Sequence, residues 1–120
     1  MTNEEYRENV LKTESVKEVK LDLFTSRLLH AVMGLSTEAN ELLDNLKKHI
    51  FYGKELNIVN IKEEAGDSDW YMEVLLDIID ETREKIHHLN INKLSKRYPG
   101  QIFKSSSAIN RNTDNELSHF

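Results

Sequence analysis

Four carboxylates stand out by their spacing. Glu38 and Glu41 are three residues apart, and so are Glu64 and Asp67. Residues three apart on a helix share a face, so each pair presents two carboxylates side by side. Around the second pair, Ile61, Ala65, Tyr71, Met72, Val74, Leu75, Ile78 and Ile79 cover one broad arc at about 100° per residue, and Glu64 and Asp67 fall inside it. Around the first, Glu38 borders a Leu35/Leu42/Leu46 stripe with Glu41 next to it. Carboxylates turned toward a core cannot stay ionised and alone, because desolvation and mutual repulsion oppose it. They are protonated, paired with cations or bound to metal. Four oxygen ligands without His or Cys suit a hard divalent ion, Mg²⁺ or Mn²⁺ in its place. Such an ion also binds phosphate and activates water. One such pair is an ordinary solvated feature in a chain with 31% charged residues; two on consecutive helices strengthen the metal reading.

A second cluster is cationic. Asn90, Lys93 and Arg97 recur at i, i+3 and i+7, one positive ridge near the end of a helix. The helix dipole favours cations there in any case. Read for chemistry, the ridge is a phosphate clamp: a point charge, a bidentate fork and a neutral donor. Trp70 and Tyr71 flank the second acid pair, suited to packing or to contact with a base or sugar. His30 sits on an apolar stretch, while His87 and His88 lack a partner pair. Glu84 and His87 have the Glu-x-x-His spacing of di-iron bundles, but the other copy, Glu116 and His119, falls in a polar tail.

The elements that must position these groups are helical. A short charged helix is expected from about Glu4 to Lys12, then one from Val16 to Val32 with apolar residues spaced by three to five. Gly34 interrupts it, and Ser36-Thr37-Glu38 is a plausible start for the next, Thr37 to Phe51. A fourth is expected from Ile58 to Ile79 and a fifth from Glu81 to Ser95. From Arg97 the chain turns polar, with Pro99-Gly100 and three consecutive serines. The expected architecture is a compact all-α bundle of four to five helices over residues 1–98, with a loosely structured tail over 99–120.

Composition agrees. One proline and four glycines in 120 residues favour helices over β structure. The absence of cysteine excludes disulfides and thiolate metal sites. A net charge of −5 disfavours a nucleic acid polymer as partner. No apolar run approaches the roughly 18 residues of a membrane span, and the acidic start is not a signal peptide, so a cytoplasmic protein is expected. A chain this short buries only about two-thirds of its unfolded surface, leaving apolar area for a partner copy.

The run from His30 to Leu42, HAVMGLSTEANEL, resembles the first metal motif of the MazG-like nucleoside triphosphate pyrophosphohydrolases, and Glu64-Ala65-Gly66-Asp67 resembles the second, 22 residues beyond Glu41. Asn90 to Pro99, NINKLSKRYP, is similar to the family's downstream phosphate segment. The three motifs stand in the family's order. The resemblance implies an oligomeric all-α fold, a homodimer or homotetramer, with Mg²⁺-dependent hydrolysis of a (d)NTP to monophosphate and pyrophosphate, a nucleotide-pool cleansing activity. It implies Glu38, Glu41, Glu64 and Asp67 as metal ligands. Glu41, or Glu38, would act on the attacking water, and Asn90, Lys93 and Arg97 would hold phosphate. From a different class, a catalytically silent helical module that binds nucleotides or proteins would keep the same helices.

Overall fold

The structure is a computed structural model that describes all 120 residues, Met1–Phe120. It is all-helical. Helix α1 (Asn3–Thr13) opens with a capping box: Thr2 Oγ1 accepts from the Glu5 N–H at 3.1 Å while Glu5 Oε2 accepts from the Thr2 N–H at 2.6 Å. It buries no residue, so its local caps rather than tertiary packing define it.

Residues 16–22 are not helical, although a helix is expected from Val16. The helix begins at Leu23, where the Asp22 side chain accepts from the Thr25 N–H at 2.7 Å. From there α2 (Leu23–Tyr52) runs unbroken, so the break expected at Gly34 does not occur. The glycine serves a close approach instead. A Cβ at position 34 would lie 2.2–2.4 Å from the Tyr71 ring, inside any permissible contact. Thr37, expected near a helix start, sends its hydroxyl back to the Gly34 carbonyl at 3.0 Å, a bond made within a continuing helix. The helix stops at Gly53, whose φ of 67° is the left-handed conformation that glycine adopts without strain.

Five residues later α3 (Ile58–Ile78) returns antiparallel to α2, capped by Asn57, whose side chain accepts from the Asn60 N–H. Three contacts fix the register: Asn45 with Asn57 and Asn60 near the turn, Gly34 beneath Tyr71 in the middle, and Arg27 with Asp77 at 2.6 Å at the far end. After a turn through Asp80 (φ 54°), Thr82 caps α4 (Arg83–Arg97). Arg83 ties its start to α3 by reaching Asp69 at 2.8 Å and Glu73 at 2.6 Å. A 3₁₀ turn (Pro99–Gln101) and two short helices, α5 (Ser105–Ile109) and α6 (Thr113–Glu116), then bring the tail back against α4.

The expectation of a compact bundle is not met. The radius of gyration is 20.5 Å, whereas a compact chain of this length has about 14 Å. Only Ala31, Leu76, Ile78 and Leu89 form a buried apolar core. The physical reason lies in the α2–α3 seam, which is lined on the α2 side by Ala31, Gly34, Glu38 and Asn45 with Leu42 half-buried beside them, while Leu43, Leu46 and Ile50 stand exposed about 90–150° round the helix. No helix is long and apolar enough to cross a membrane.

Gly34→Ala should lower the melting temperature. The methyl must displace the Tyr71 ring, and overpacking of this kind costs about 1–3 kcal/mol, more than the roughly 1 kcal/mol of helix propensity that alanine gains. A variant as stable as the parent in thermal denaturation would show that the ring moves freely.

Candidate functional site

The antiparallel register carries Glu38 on α2 opposite Glu64 and Asp67 on α3. One carboxylate oxygen from each lies within 4.8 Å of the others. Glu64 is buried and Glu38 half-buried, whereas Asp67 is exposed at the rim. The cluster therefore has a closed floor and an open edge.

Two asparagines support the floor. Asn60 donates to Glu64 Oε1 at 2.8 Å, and Asn45 donates to Asn60 Oδ1 at 3.0 Å, so a relay of amides from α2 orients the buried carboxylate. Asn45 also donates to the Asn57 carbonyl at 3.0 Å, which ties the relay to the start of α3. Ser68 bonds the Glu64 backbone carbonyl at 2.8 Å rather than the carboxylate. Neither Asn45 nor Asn60 is among the expected site residues. The signal for them is an amide inside a leucine-rich helix, which has few reasons to be there unless another amide faces it.

The electrostatics follow from the crowding. The Glu38 carboxyl is pushed up from 4.5 to about 7, chiefly by its hydrogen bond with Glu64, then by desolvation and by the charges of Glu64, Asp67 and Glu41. The group thus holds a proton near neutrality when no cation is present.

Glu41, expected beside Glu38, takes a different position. Its charge is felt by Glu38, but it is exposed and opens onto a polar cleft toward the α2–α3 turn. Tyr71 and Trp70 do stand at the cluster: with Glu38 and Asp67 they line a shallow cavity of about 360 Å³. Their rings meet edge to face at 5.0 Å, and Tyr71 meets His30 the same way at 5.9 Å. His30 itself is exposed.

The cationic ridge is not brought to the acids within one chain. Neither Asn90 nor Lys93 nor Arg97 bonds to any member of the cluster. The tail engages its cations instead. Arg97 reaches Glu116 at 3.1 Å through Nε and 3.3 Å through Nη2, and Arg111 reaches the same carboxylate at 2.8 Å. Lys96, on the neighbouring row, donates to the Asn115 carbonyl and to Ser118, both at 2.8 Å. Lys93 lies 6.0 Å from the Phe120 ring centre, within cation–π range, and Asn90 is exposed. Held by the side chains of Arg97 and Arg111, the Glu116 carboxyl is lowered from 4.5 to about 2.

Fold and site together define an all-helical protein whose central α-hairpin carries an acidic triad at its seam. No family model, curated protein or solved structure matches the chain. The likeness to the MazG-like enzymes accordingly rests on the three motifs themselves. The donor set fits a hard divalent cation, since all three groups offer carboxylate oxygen and Asn60 holds one of them in place.

Two pH dependences follow. Because the folded state raises the Glu38 pKa, that group's contribution to stability is full below about 4.5 and is lost as pH rises through about 7. In EDTA the melting temperature should fall between pH 5 and 8 by more in the parent than in Glu38→Gln; equal slopes would dissociate the shift from this carboxyl. Glu116 has the opposite sign. Its contribution is present above about 4.5 and disappears as pH falls through about 2. Glu116→Gln should melt lower than the parent at pH 7, and the gap should close across that acid window.

Proposed function

We propose that this chain is a Mg²⁺-dependent pyrophosphohydrolase that converts a (deoxy)nucleoside triphosphate to nucleoside monophosphate and pyrophosphate. The observation that carries the reading is the gathering of Glu38, Glu64 and Asp67 from two helices into one oxygen-donor triad, with two aromatic side chains at its rim. Glu38, Glu64 and Asp67 would hold the cation, Mg²⁺ or Mn²⁺, with Glu41 completing the set from the adjoining cleft. When bound, the cation would neutralise phosphate charge and make a coordinated water more acidic.

Glu38 is the proposed base: with one carboxylate oxygen on the cation, the other would be placed to accept a proton from the water. The water oxygen forms a new bond to phosphorus, the phosphoanhydride bond to the pyrophosphate group breaks, and the proton passes to a Glu38 oxygen. Trp70, exposed at the rim, offers an apolar face for the base, and the Tyr71 hydroxyl offers a partner for the sugar. Asn90 and Lys93 are the proposed phosphate holders from a neighbouring subunit, while Arg97 is committed to Glu116.

A homodimer or homotetramer is part of this reading. The chain exposes 9929 Å², whereas a compact monomer of 14.0 kDa exposes about 6,700 Å². The excess is larger than the roughly 800 Å² each partner buries in a standard interface.

Purified protein incubated with Mg²⁺ and a panel of dNTPs and NTPs should yield monophosphate and pyrophosphate on ion-exchange chromatography. EDTA should abolish turnover. Glu64→Gln should lower kcat/KM at least about 100-fold, the upper range for loss of a partner that merely supports a metal ligand. Diphosphate plus orthophosphate would overturn the assigned reaction, and no turnover of any nucleotide would favour a silent nucleotide-binding module.

A further inference from the structure

The flank of α2 that turns away from α3 carries a repeat that the fold leaves uncovered. Leu29, Val32, Ser36, Ala39, Leu43, Leu46 and Ile50 follow one another at alternating intervals of three and four, a heptad stripe along the helix. At about 100° per residue they fall within one arc roughly 100° wide. All are exposed, the large ones by 44–64%. Leu28, Leu35 and Leu42 stand half-buried between this stripe and the seam with α3, so the apolar surface continues from the stripe into the hairpin. A contiguous apolar patch of this kind marks a contact surface, unlike single apolar side chains scattered over an exterior.

Nothing in the chain itself covers the stripe: α1 buries no residue, and α4 packs on its own tail. The order of side-chain sizes points to the occupant. Two small residues, Ser36 and Ala39, precede three large ones, Leu43, Leu46 and Ile50. Reversing a second copy of the same helix therefore lays large against small. In an antiparallel pair the first apolar position of each heptad faces the second apolar position of the partner, which leaves two alignments. One sets Ser36 against the partner's Ala39 and leaves the centre empty. The other sets Val32 against the partner's Ile50, Ser36 against the partner's Leu46 and Ala39 against the partner's Leu43, so every layer is filled. Leu29 then meets the partner's Gly53, where α2 ends. A parallel pair stacks small on small and aligns the two helix dipoles, both unfavourable.

We propose that this flank of α2 is the contact between two copies of the chain, packed antiparallel in the second alignment. The contact is isologous, each stripe serving as both donor and receiver of the large side chains. The chain exposes 9929 Å² against about 6,700 Å² for a compact monomer of its mass, and a standard interface takes about 800 Å² from each partner. The interface deepens the homo-oligomer of the proposed function by naming its face, direction and register, and it does not depend on the chemistry at the triad.

Two measurements on the full chain test it. In sedimentation equilibrium at micromolar concentration the parent should be a dimer or larger. Leu46→Glu should raise the dissociation constant at least about 100-fold, since each contact loses two central side chains, and its helical circular dichroism should persist because glutamate is a good helix former. Disulfide cross-linking reads the register in a chain that has no cysteine of its own. A mixture of Ser36→Cys and Leu46→Cys should cross-link on oxidation, while neither variant should do so alone: identical positions lie ten residues apart, about 15 Å, and a disulfide needs Cα atoms within about 7 Å. A monomeric parent would overturn the proposal and leave the stripe for a different protein. An oligomer indifferent to Leu46→Glu would overturn it too, as would self-cross-linking of either cysteine variant. The nucleotide assay keeps this apart from the wider reading. Turnover by a monomeric parent would uphold the activity and sink the interface; a stripe-dependent dimer without turnover would do the reverse.

Discussion

The close approach of α3 to α2 at Gly34 is the constraint on which the rest of the arrangement depends. The Tyr71 ring occupies the space of the missing Cβ, which sets both the separation and the register of the hairpin. Asn45 at one end and the Arg27–Asp77 pair at the other hold that register along the two helices. A slip of one residue would turn each carboxylate about 100° away from its neighbours. The convergence of Glu38, Glu64 and Asp67, one oxygen of each within 4.8 Å of the others, is thus a consequence of packing some distance from the carboxylates themselves.

The same register imposes an electrostatic cost. Three acids on a partly buried seam repel, and the chain answers with two devices visible in the structure. Asn60 donates to Glu64, so the buried acid has a neutral partner. Glu38 keeps its proton up to about pH 7, which removes one charge from the cluster. Neither device adds a basic residue. Cations of α2 and α4 engage other acids: Lys48 pairs with Asp44, Arg83 with Asp69 and Glu73, and Arg97 with Glu116. An acidic cluster left without its own cations is open to one from solution, and natural sequences accept such local conflicts where a site requires them.

Much of the helical order was legible because it is local. The first helix and Ile58–Ile78 lie within a residue of the bounds expected from the sequence, and the i, i+3 pairs identified three acids that do converge. Gly34 was not legible, since a glycine inside an apolar periodic run reads equally as a break or as space for a neighbour; only the position of Tyr71 decides. Thr37 misleads for a related reason, because a hydroxyl that caps a helix also bonds back within one. The Asn45–Asn60–Glu64 relay crosses between helices and leaves no periodic trace. Glu116 was likewise hidden: in sequence it belongs to a polar tail, yet in the fold it is the buried partner of two arginines.

The distribution of leucines completes the physical account of the shape. A hairpin that devotes its seam to Ala31, Gly34, Glu38 and Asn45 gains little apolar burial from its own partner helix. Leu43, Leu46 and Ile50 cannot reach that seam without rotating the acids out of it, because all share one rigid helix. Chemistry and burial therefore compete for the faces of α2, and the acids hold the inner one. The leucine flank needs a second layer that α4 does not supply, since α4 packs on its own tail. In the proposed homo-oligomer a copy of the same hairpin would provide that layer, and each extended chain would then be half of a bundle built around a polar seam.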